Sequence, residues 1–268
     1  MTKEIVIVSG KGGTGKTSLA ASFAVLASGR AVIADCDVDA ADLHLVLSPR
    51  VVERHAFRSG NEASIRAADC TACGLCQKLC RYGAIAPAAG KFAVDPVSCE
   101  GCGVCVRFCP ERAIDFPERE CGEWMVSETR CGSFFHARLQ AAAENSGKLV
   151  TAVRRAARER AEKSAAPLLL VDGPPGIGCP VIAALTGSSL AAVVTEPTVS
   201  GEHDLARVLA LARHFRVPAA VCVNKWDINP LLSERIERSA AAAGALLAGR
   251  VRYDSGVTAA QIRGRAAV

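Results

Sequence analysis

The sequence predicts an α/β protein: a doubly wound, mostly parallel sheet, interrupted by a small inserted α+β module. Three observations carry that prediction. Apolar strand-like runs alternate with helical patterns at both ends of the chain, which is the signature of parallel β-α-β units. A glycine-rich loop joins the first strand to the first helix. Between the two α/β stretches the composition turns to Cys, Gly and Pro in a segment that repeats itself around Cys70 and Cys99. The division expected is 1–50 and 119–268 for the sheet domain and 51–118 for the insertion. With 268 residues, half of them apolar, the chain can build one sizeable core and a small second unit. Only 4% of residues are aromatic, which suits a sheet covered by Ala-rich helices.

The first unit reads strand (4–9), loop (10–15), helix (16–27, stopped at Gly29) and strand (30–35). Downstream, strands are expected at 168–172, 191–195, 219–224 and 246–251, with helices at 201–214 and 230–243 between them. Residues 119–166 read as a transitional stretch ending in an Arg/Glu-rich helix at 146–163. Leu149, Val153 and Ala157 share one face of that helix, and its charges are expected to face water.

Gly10-Lys11-Gly12-Gly13-Thr14-Gly15-Lys16-Thr17 fits the P-loop pattern G-x-x-x-x-G-K-[ST] and stands after a strand and before a helix, where that motif must stand. The glycines let backbone N–H groups point at phosphate oxygens and the helix N-terminus adds positive potential. Lys16 would neutralise the β/γ-phosphates and Thr17 would hold Mg. Asp35-Cys36-Asp37 ends the second strand, and Asp172-Gly173-Pro174-Pro175-Gly176 ends an apolar run. Carboxylates at strand C-termini converge on the phosphates, one to hold Mg through water and one to orient the attacking water. Asn224-Lys225-Trp226-Asp227 matches the guanine-reading N-K-x-D in form, which taken alone favours GTP; Asp227 could equally cap a turn.

The loop resembles the deviant Walker A motif of the MinD/ParA and nitrogenase iron protein class of ATPases, whose marker is the additional lysine, here Lys11. The resemblance implies an ATP-dependent homodimer in which Lys11 reaches the partner's phosphates. It also implies that Asp37 positions the water, that Asp172 holds Mg through water, and that Asn224 reads adenine, so that ATP is expected rather than GTP.

Thirteen cysteines in a chain that opens without a secretion signal are not read as a disulfide framework, because the cytosol keeps thiols reduced. Metal ligation is the expectation. Cys70-x2-Cys73-x2-Cys76-x3-Cys80 and Cys99-x2-Cys102-x2-Cys105-x3-Cys109-Pro110 are two copies of the bacterial ferredoxin ligand run, in which the fourth cysteine of each run serves the other cluster. The expected sets are Cys70, Cys73, Cys76 and Cys109 for one 4Fe-4S cluster, and Cys99, Cys102, Cys105 and Cys80 for the other. Zinc is the competing reading, but eight cysteines in this spacing overshoot one tetrahedral site. Arg81 stands after Cys80 where the run usually has Pro. The whole arrangement resembles MinD-superfamily ATPases that carry an inserted ferredoxin domain, with Asn145-Ser146-Gly147-Lys148-Leu149-Val150, Thr195-Glu196-Pro197-Thr198 and the Asp172–Gly176 stretch as further points of similarity. Against that group the stretch after Tyr253 reads as short by a terminal helix.

Of the remaining cysteines, Cys36 and Cys222 read as small hydrophobes in strands. Cys121 and Cys131 leave open a further metal or redox pair. The region of Cys179 resembles the nitrogenase iron protein at a place where that protein supplies a bridging cluster ligand, so the resemblance implies such a ligand, with a buried structural thiol as the alternative. The formal charge of +5 falls to about +1 once two oxidised clusters are counted, and there is no clustered basic patch, so no nucleic-acid partner is expected. No apolar stretch reaches the roughly 20 residues that span a bilayer. A cytoplasmic protein without membrane insertion is expected. Three functions follow: ATP-switched electron transfer to an unidentified redox partner, ATP-dependent assembly or carriage of an iron–sulfur or other metal cofactor, and an ATP-switched interaction protein whose clusters sense redox state.

Overall fold

The structure, a computed structural model, describes residues 2–140 and 146–268; Asn145, one of the points of similarity above, lies outside the described residues. In chain order the elements are β1 (Lys3–Ser9), α1 (Lys16–Leu26), β2 (Ala31–Asp35), α2 (Leu43–Leu47), β3 (Arg50–Asn61), β4 (Ser64–Ile65), α3 (Leu75–Leu79), β5 (Ile85–Ala88), β6 (Lys91–Val94), α4 (Val104–Phe108) and β7 (Ile114–Asp115). There follow β8 (Glu118–Thr129), β9 (Gly132–Leu139), α5 (Ser146–Lys163), β10 (Leu168–Pro175), α6 (Cys179–Leu185), β11 (Leu190–Thr195), α7 (Val199–His214), β12 (Ala219–Asn224), α8 (Pro230–Ala242), β13 (Leu246–Val251) and α9 (Ser255–Ile262). None of these helices is long and apolar enough to cross a membrane.

Nine strands form one sheet in the order β13-β12-β11-β1-β10-β2-β9-β8-β3. Every pairing from β13 across to β9 is parallel. The central strands are continuous apolar runs because helices cover both faces: Val6, Ile7, Val8, Ile33 and Val171 are all essentially buried. From β1 the chain winds to β2 on one side, and later from β10 to β11 on the other. The order therefore reverses at β1, and the carboxyl ends of β1, β2 and β10 open on one crevice, where α/β sheets bind their ligands.

Three strands depart from the sequence reading, which had 51–118 as an insertion separate from the sheet and 119–166 as a transitional stretch ending in a helix. β3, β8 and β9 extend the sheet well past β2. β3 is exposed at seven of its twelve residues and carries little apolar alternation, so periodicity cannot reveal it. Its partner strand answers it with ion pairs instead: Arg50–Glu128 at 2.5 Å, Arg54–Glu123 at 2.9 Å and Arg58–Glu120 at 3.8 Å. The stretch after Tyr253 carries α9.

The described residues divide into two compact units, one built from residues of 2–55, 123–139 and 146–268 and the other from 56–122 with Gln140. In the second unit two halves follow one plan at a spacing of 29 residues, the separation of Cys70 and Cys99. Each half has a cysteine loop and a five-residue helix started by a left-handed glycine, Gly74 (φ 76°) or Gly103 (φ 71°). The positive-φ positions Ala72 and Gly101 (58° and 61°), and Gly83 and Arg112 (64° and 50°), match at the same spacing. β4 pairs with β7 and β5 with β6, both antiparallel, and α3 packs on α4.

In the first unit, the charges of α5 do not all face water, as the sequence reading had them. Arg154 is only 7% exposed and lies on the same face as Leu149, Val153 and Ala157. Its guanidinium pairs with Glu4, the second residue of β1 and only 5% exposed, and donates to the carbonyls of Ala183 (2.9 Å) and Thr186 (2.7 Å). Arg158 pairs with the same carboxylate. The apolar stripe that predicts the helix is consistent with this burial, because Arg154 stands one turn from Val150 on one side and from Ala157 on the other. Removing one partner strands a buried charge, so Arg154→Leu should lower unfolding stability by about 3–5 kcal/mol, and a combined Glu4→Leu/Arg154→Leu change should restore most of it; urea unfolding of both variants checks this.

Candidate functional site: the P-loop crevice and two cysteine-lined cavities

β1 ends at Ser9 and the chain turns through Gly10–Gly15 into α1. The turn needs its glycines for space as well as for conformation. Gly15 has φ +88°, and a Cβ there would fall 2.3 Å from Asn224 Nδ2; a Cβ on Gly10 would fall 2.4 Å from that of Asp204. Ser9 Oγ donates to the Lys11 carbonyl at 2.8 Å, and no side chain caps the N-terminus of α1. The first N–H groups of the helix are thus free to serve an anion.

Lys16 Nζ donates to Asp172 Oδ1 at 2.8 Å and to Asp37 Oδ2 at 3.2 Å, with Lys16 and Asp172 almost wholly buried. It also reaches Thr17 Oγ1 at 3.3 Å. Burial opposes the Lys16 charge, but Asp172, Asp37 and Asp35 outweigh it and hold the ammonium above its ordinary pKa. Burial raises the Asp172 carboxyl, with Lys16 pulling the other way. Asp35 is raised well above the ordinary carboxyl value, first by burial and then by Asp172. Asp35 does not join the acids aimed at the phosphates: its two oxygens accept the backbone N–H groups of Asp37 (3.1 Å) and Leu43 (3.3 Å), so it shapes the turn that presents Asp37. Asp172 Oδ2 and Thr14 Oγ1 are buried with no hydrogen-bond partner among the described residues. Such orphaned oxygens at a phosphate loop fit a hydrated cation and a phosphate.

Lys11 is held within its own chain. Its Nζ lies 2.7 Å from Glu196 Oε1 and donates to Thr198 Oγ1 and Ser200 Oγ, both at 3.1 Å. Lys225, at φ +56°, brings its ammonium to the same Glu196 carboxylate (3.1 Å) and to the Gly13 carbonyl (3.1 Å). Burial opposes the Glu196 charge, but the bonds from Lys11 and Lys225 prevail and lower its pKa. Sequence reasoning missed Glu196 as a hub and Lys225 as its second partner; the acidic residue at the end of β11, facing a loop rich in lysine, was the available signal. The Asn224 side-chain amide donates to the Thr14 carbonyl at 2.7 Å, and Asp227 accepts from the Tyr253 N–H at 2.7 Å rather than capping its own turn. The crevice over the loop is walled by Thr14, Lys16, Asp37, Asn224, Tyr253 and Gln261.

In the second unit, Cys70, Cys73, Cys76 and Cys109 line one cavity, together with Ile65 and Phe92. Cys99, Cys102, Cys105 and Cys80 line a second, with Ile85 and Phe116. Each cavity thus draws three cysteines from one loop and the fourth from the end of the other half's helix. Cys73 and Cys102 are exposed and the other six half-buried. Among the described residues no three Cys, His, Asp or Glu side chains gather around a single ion; the thiols stand around the cavity walls instead.

The remaining cysteines have separate surroundings. Cys121 is buried and donates to the Ser59 carbonyl at 3.1 Å. Cys131 is buried among Ala21, Ala24, Ile33, Leu43 and Phe134, so the two form no pair. Cys36 is fully buried, and burial pushes its thiol far up; Cys222 is half-buried in β12. Cys179 is exposed at the first residue of α6, so it is not the buried thiol that one reading expected.

Residues 5–268 match the family described as the CobQ/CobB/MinD/ParA nucleotide binding domain. An uncharacterized protein of Methanocaldococcus jannaschii is 34% identical over 235 residues, covering 84% of this chain and 79% of that one. Another from the same organism is 21% identical over 245 residues, covering 85% and 81%. Among solved structures, the septum site-determining protein MinD of Pyrococcus horikoshii, complexed with Mg-ADP, shares the fold at a TM-score of 0.57 and 18% identity, covering 100% of this chain and 88% of that one. The MinC:MinD cell division complex of Aquifex aeolicus gives 0.56 and 19%, covering 99% and 87%.

Lys16 is the counter-charge for Asp172 and Asp35, whose carboxyls already lie above the ordinary range, and its loss drives these two further up. A carboxyl raised in the folded state contributes stability below its unfolded pKa and forfeits it as pH climbs through the folded value. Lys16→Met should therefore be less stable than the parent by about 2–4 kcal/mol near pH 8, with the gap narrowing toward about pH 5. Denaturation midpoints across that range check it.

Proposed function

The chain belongs to the CobQ/CobB/MinD/ParA nucleotide-binding family, and from that footing we propose that it is an ATP-hydrolysing iron–sulfur protein in which a nucleotide-switched homodimer drives electron transfer through two 4Fe-4S clusters. One observation supports this reading above the rest: a chain with a P-loop crevice also gathers eight cysteines into two quartets, each walling its own cavity. Four thiolates on an apolar-walled cavity are the donor set of a cubane cluster, and the drawing of each fourth cysteine from the other half is the ferredoxin pattern. Such a cluster supplies one-electron chemistry when bound. The module of residues 51–118 is, on this reading, an inserted ferredoxin-like domain.

At the crevice the backbone N–H groups of Gly12 to Thr17 bind phosphates, and Lys16 neutralises their charge. Thr17 and Asp172 would hold Mg, which supplies further neutralisation of the phosphate oxygens. Asp37 orients the attacking water, and Lys16 must give up part of its bonding to Asp37 and Asp172 when phosphate arrives. Asn224 leaves the Thr14 carbonyl to read the base, favouring adenine. Lys11, freed from Glu196, reaches the partner's phosphates in the dimer. The electrons go to a redox protein partner in the cytoplasm.

Anaerobically purified chain should carry about eight iron and eight sulfide, and Cys73→Ser and Cys102→Ser should each lower the iron content by about half. ATP turnover should fall at least 100-fold in Lys16→Ala, with the iron content unchanged. Zinc in place of iron would contradict the redox reading. Rapid loss of the clusters to an apo-acceptor would favour cofactor carriage instead, which the exposure of Cys73 and Cys102 would permit.

A further inference from the structure

The two halves of the second unit share backbone geometry but not charge. The 29-residue spacing that matches Ala72 with Gly101, and Gly83 with Arg112, also matches Lys91 with Glu62 and Arg66 with Asp95. In both pairs the cation adjoins a residue lining the first cavity (Phe92 beside Lys91, Ile65 beside Arg66) and the anion one lining the second (Ala63 beside Glu62, Val94 beside Asp95). The side chains are placed to matter. The Lys91 ammonium donates to the Cys70 carbonyl, beside the first cavity, and its neighbour Phe92 forms part of that cavity's wall. Asn61, the neighbour of Glu62, has its carbonyl so close to the Cys99 loop that a Cβ on Gly101 would fall 2.2 Å from it.

The inverted charges are not equally free. Arg66 is offset by Asp69 (2.6 Å) and by Asp115. Glu62 faces Arg119 at 3.5 Å, and Asp95 accepts the Ser98 hydroxyl at 2.6 Å. Each cavity also has one acid in its wall, Glu111 in the first and Glu100 in the second, so these cancel in the comparison. Arg81, next to Cys80 of the second cavity, is exposed and well screened. Lys91 makes no ion pair among the described residues and is half-buried, so it is the largest uncompensated difference between the two cavities.

We propose that Lys91 makes the cavity walled by Cys70, Cys73, Cys76 and Cys109 the preferred seat for the first electron entering the module, so that its two clusters are unequal in potential. This rests on the 4Fe-4S reading above. Cluster potentials follow net charge, hydrogen bonding and exposure, and a nearby fixed cation favours the form carrying one more negative charge. Each cluster takes one electron from an external reductant such as dithionite, going from the 2+ to the 1+ core. Lys91 biases which one is reduced first.

The test is an EPR-monitored dithionite titration of the full chain with both clusters loaded. The parent should show two separable one-electron steps. Lys91→Gln should move the higher step to lower potential and leave the other in place, Lys91→Arg should retain the parent pattern, and Glu62→Lys should raise only the lower step. A parent whose clusters titrate together, or variants in which neither step or both steps move, overturns the inference alone, provided iron and sulfide are at full loading. A parent chain that takes up no iron overturns the cluster reading as well. Should Lys91→Gln fail to load iron, Glu62→Lys and Lys91→Arg still decide between these outcomes.

Discussion

The crevice depends on a single ammonium group. Lys16 lies between Asp37 and Asp172, in a site where neither it nor Asp172 meets solvent, with Asp35 just behind. Three carboxylates at the ends of two adjacent strands would repel one another without it, and the crevice would be unstable as an ionised site. The parallel register of β2 and β10, which sets Asp35 opposite Asp172, makes that convergence unavoidable. The fold thus creates the charge problem that Lys16 solves. A phosphate offers the same ammonium a competing set of oxygens, and Asp172 Oδ2, orphaned in this structure, is already directed to other use.

A second lysine group is held by a similar device. Glu196 gathers Lys11 from the loop and Lys225 from the end of β12, while Lys225 and Asn224 occupy the carbonyls of Gly13 and Thr14. The loop is therefore closed by bonds that a nucleotide must replace one at a time. In the second unit the organising constraint is different: paired left-handed glycines start two short helices in equivalent places, and two cysteine quartets follow from that repetition. Symmetry arranges the thiols, and the side chains around them then break it.

Much of this was legible in the sequence. The apolar runs of β1, β2 and β10 to β12 mark strands covered on both faces, and the bounds of β12, β13 and α5 agree with the sequence reading to the residue. The P-loop was legible because its chemistry fixes spacing. What escaped was whatever polar residues stabilise by pairing rather than by pattern. β3 is kept in the sheet with Arg50, Arg54 and Arg58 set against acids of β8, and no periodicity in a charged segment reveals that. Arg154 looked like one member of a solvated charge run because its partner, Glu4, is 150 positions away. Asp35 looked equivalent to Asp37 in sequence; only the backbone N–H groups of Asp37 and Leu43 assign it to the turn.

The central claim is that nucleotide and clusters act on one another within one chain. The measurement that tests it most directly is the EPR spectrum and midpoint potential of the reduced clusters, recorded with MgADP, with a non-hydrolysable ATP analogue and without nucleotide. The account predicts that the ATP analogue changes the spectrum or shifts at least one potential relative to the nucleotide-free protein, and that Lys16→Ala abolishes the change. Spectra and potentials identical in all three states, with nucleotide shown to be bound, would contradict it.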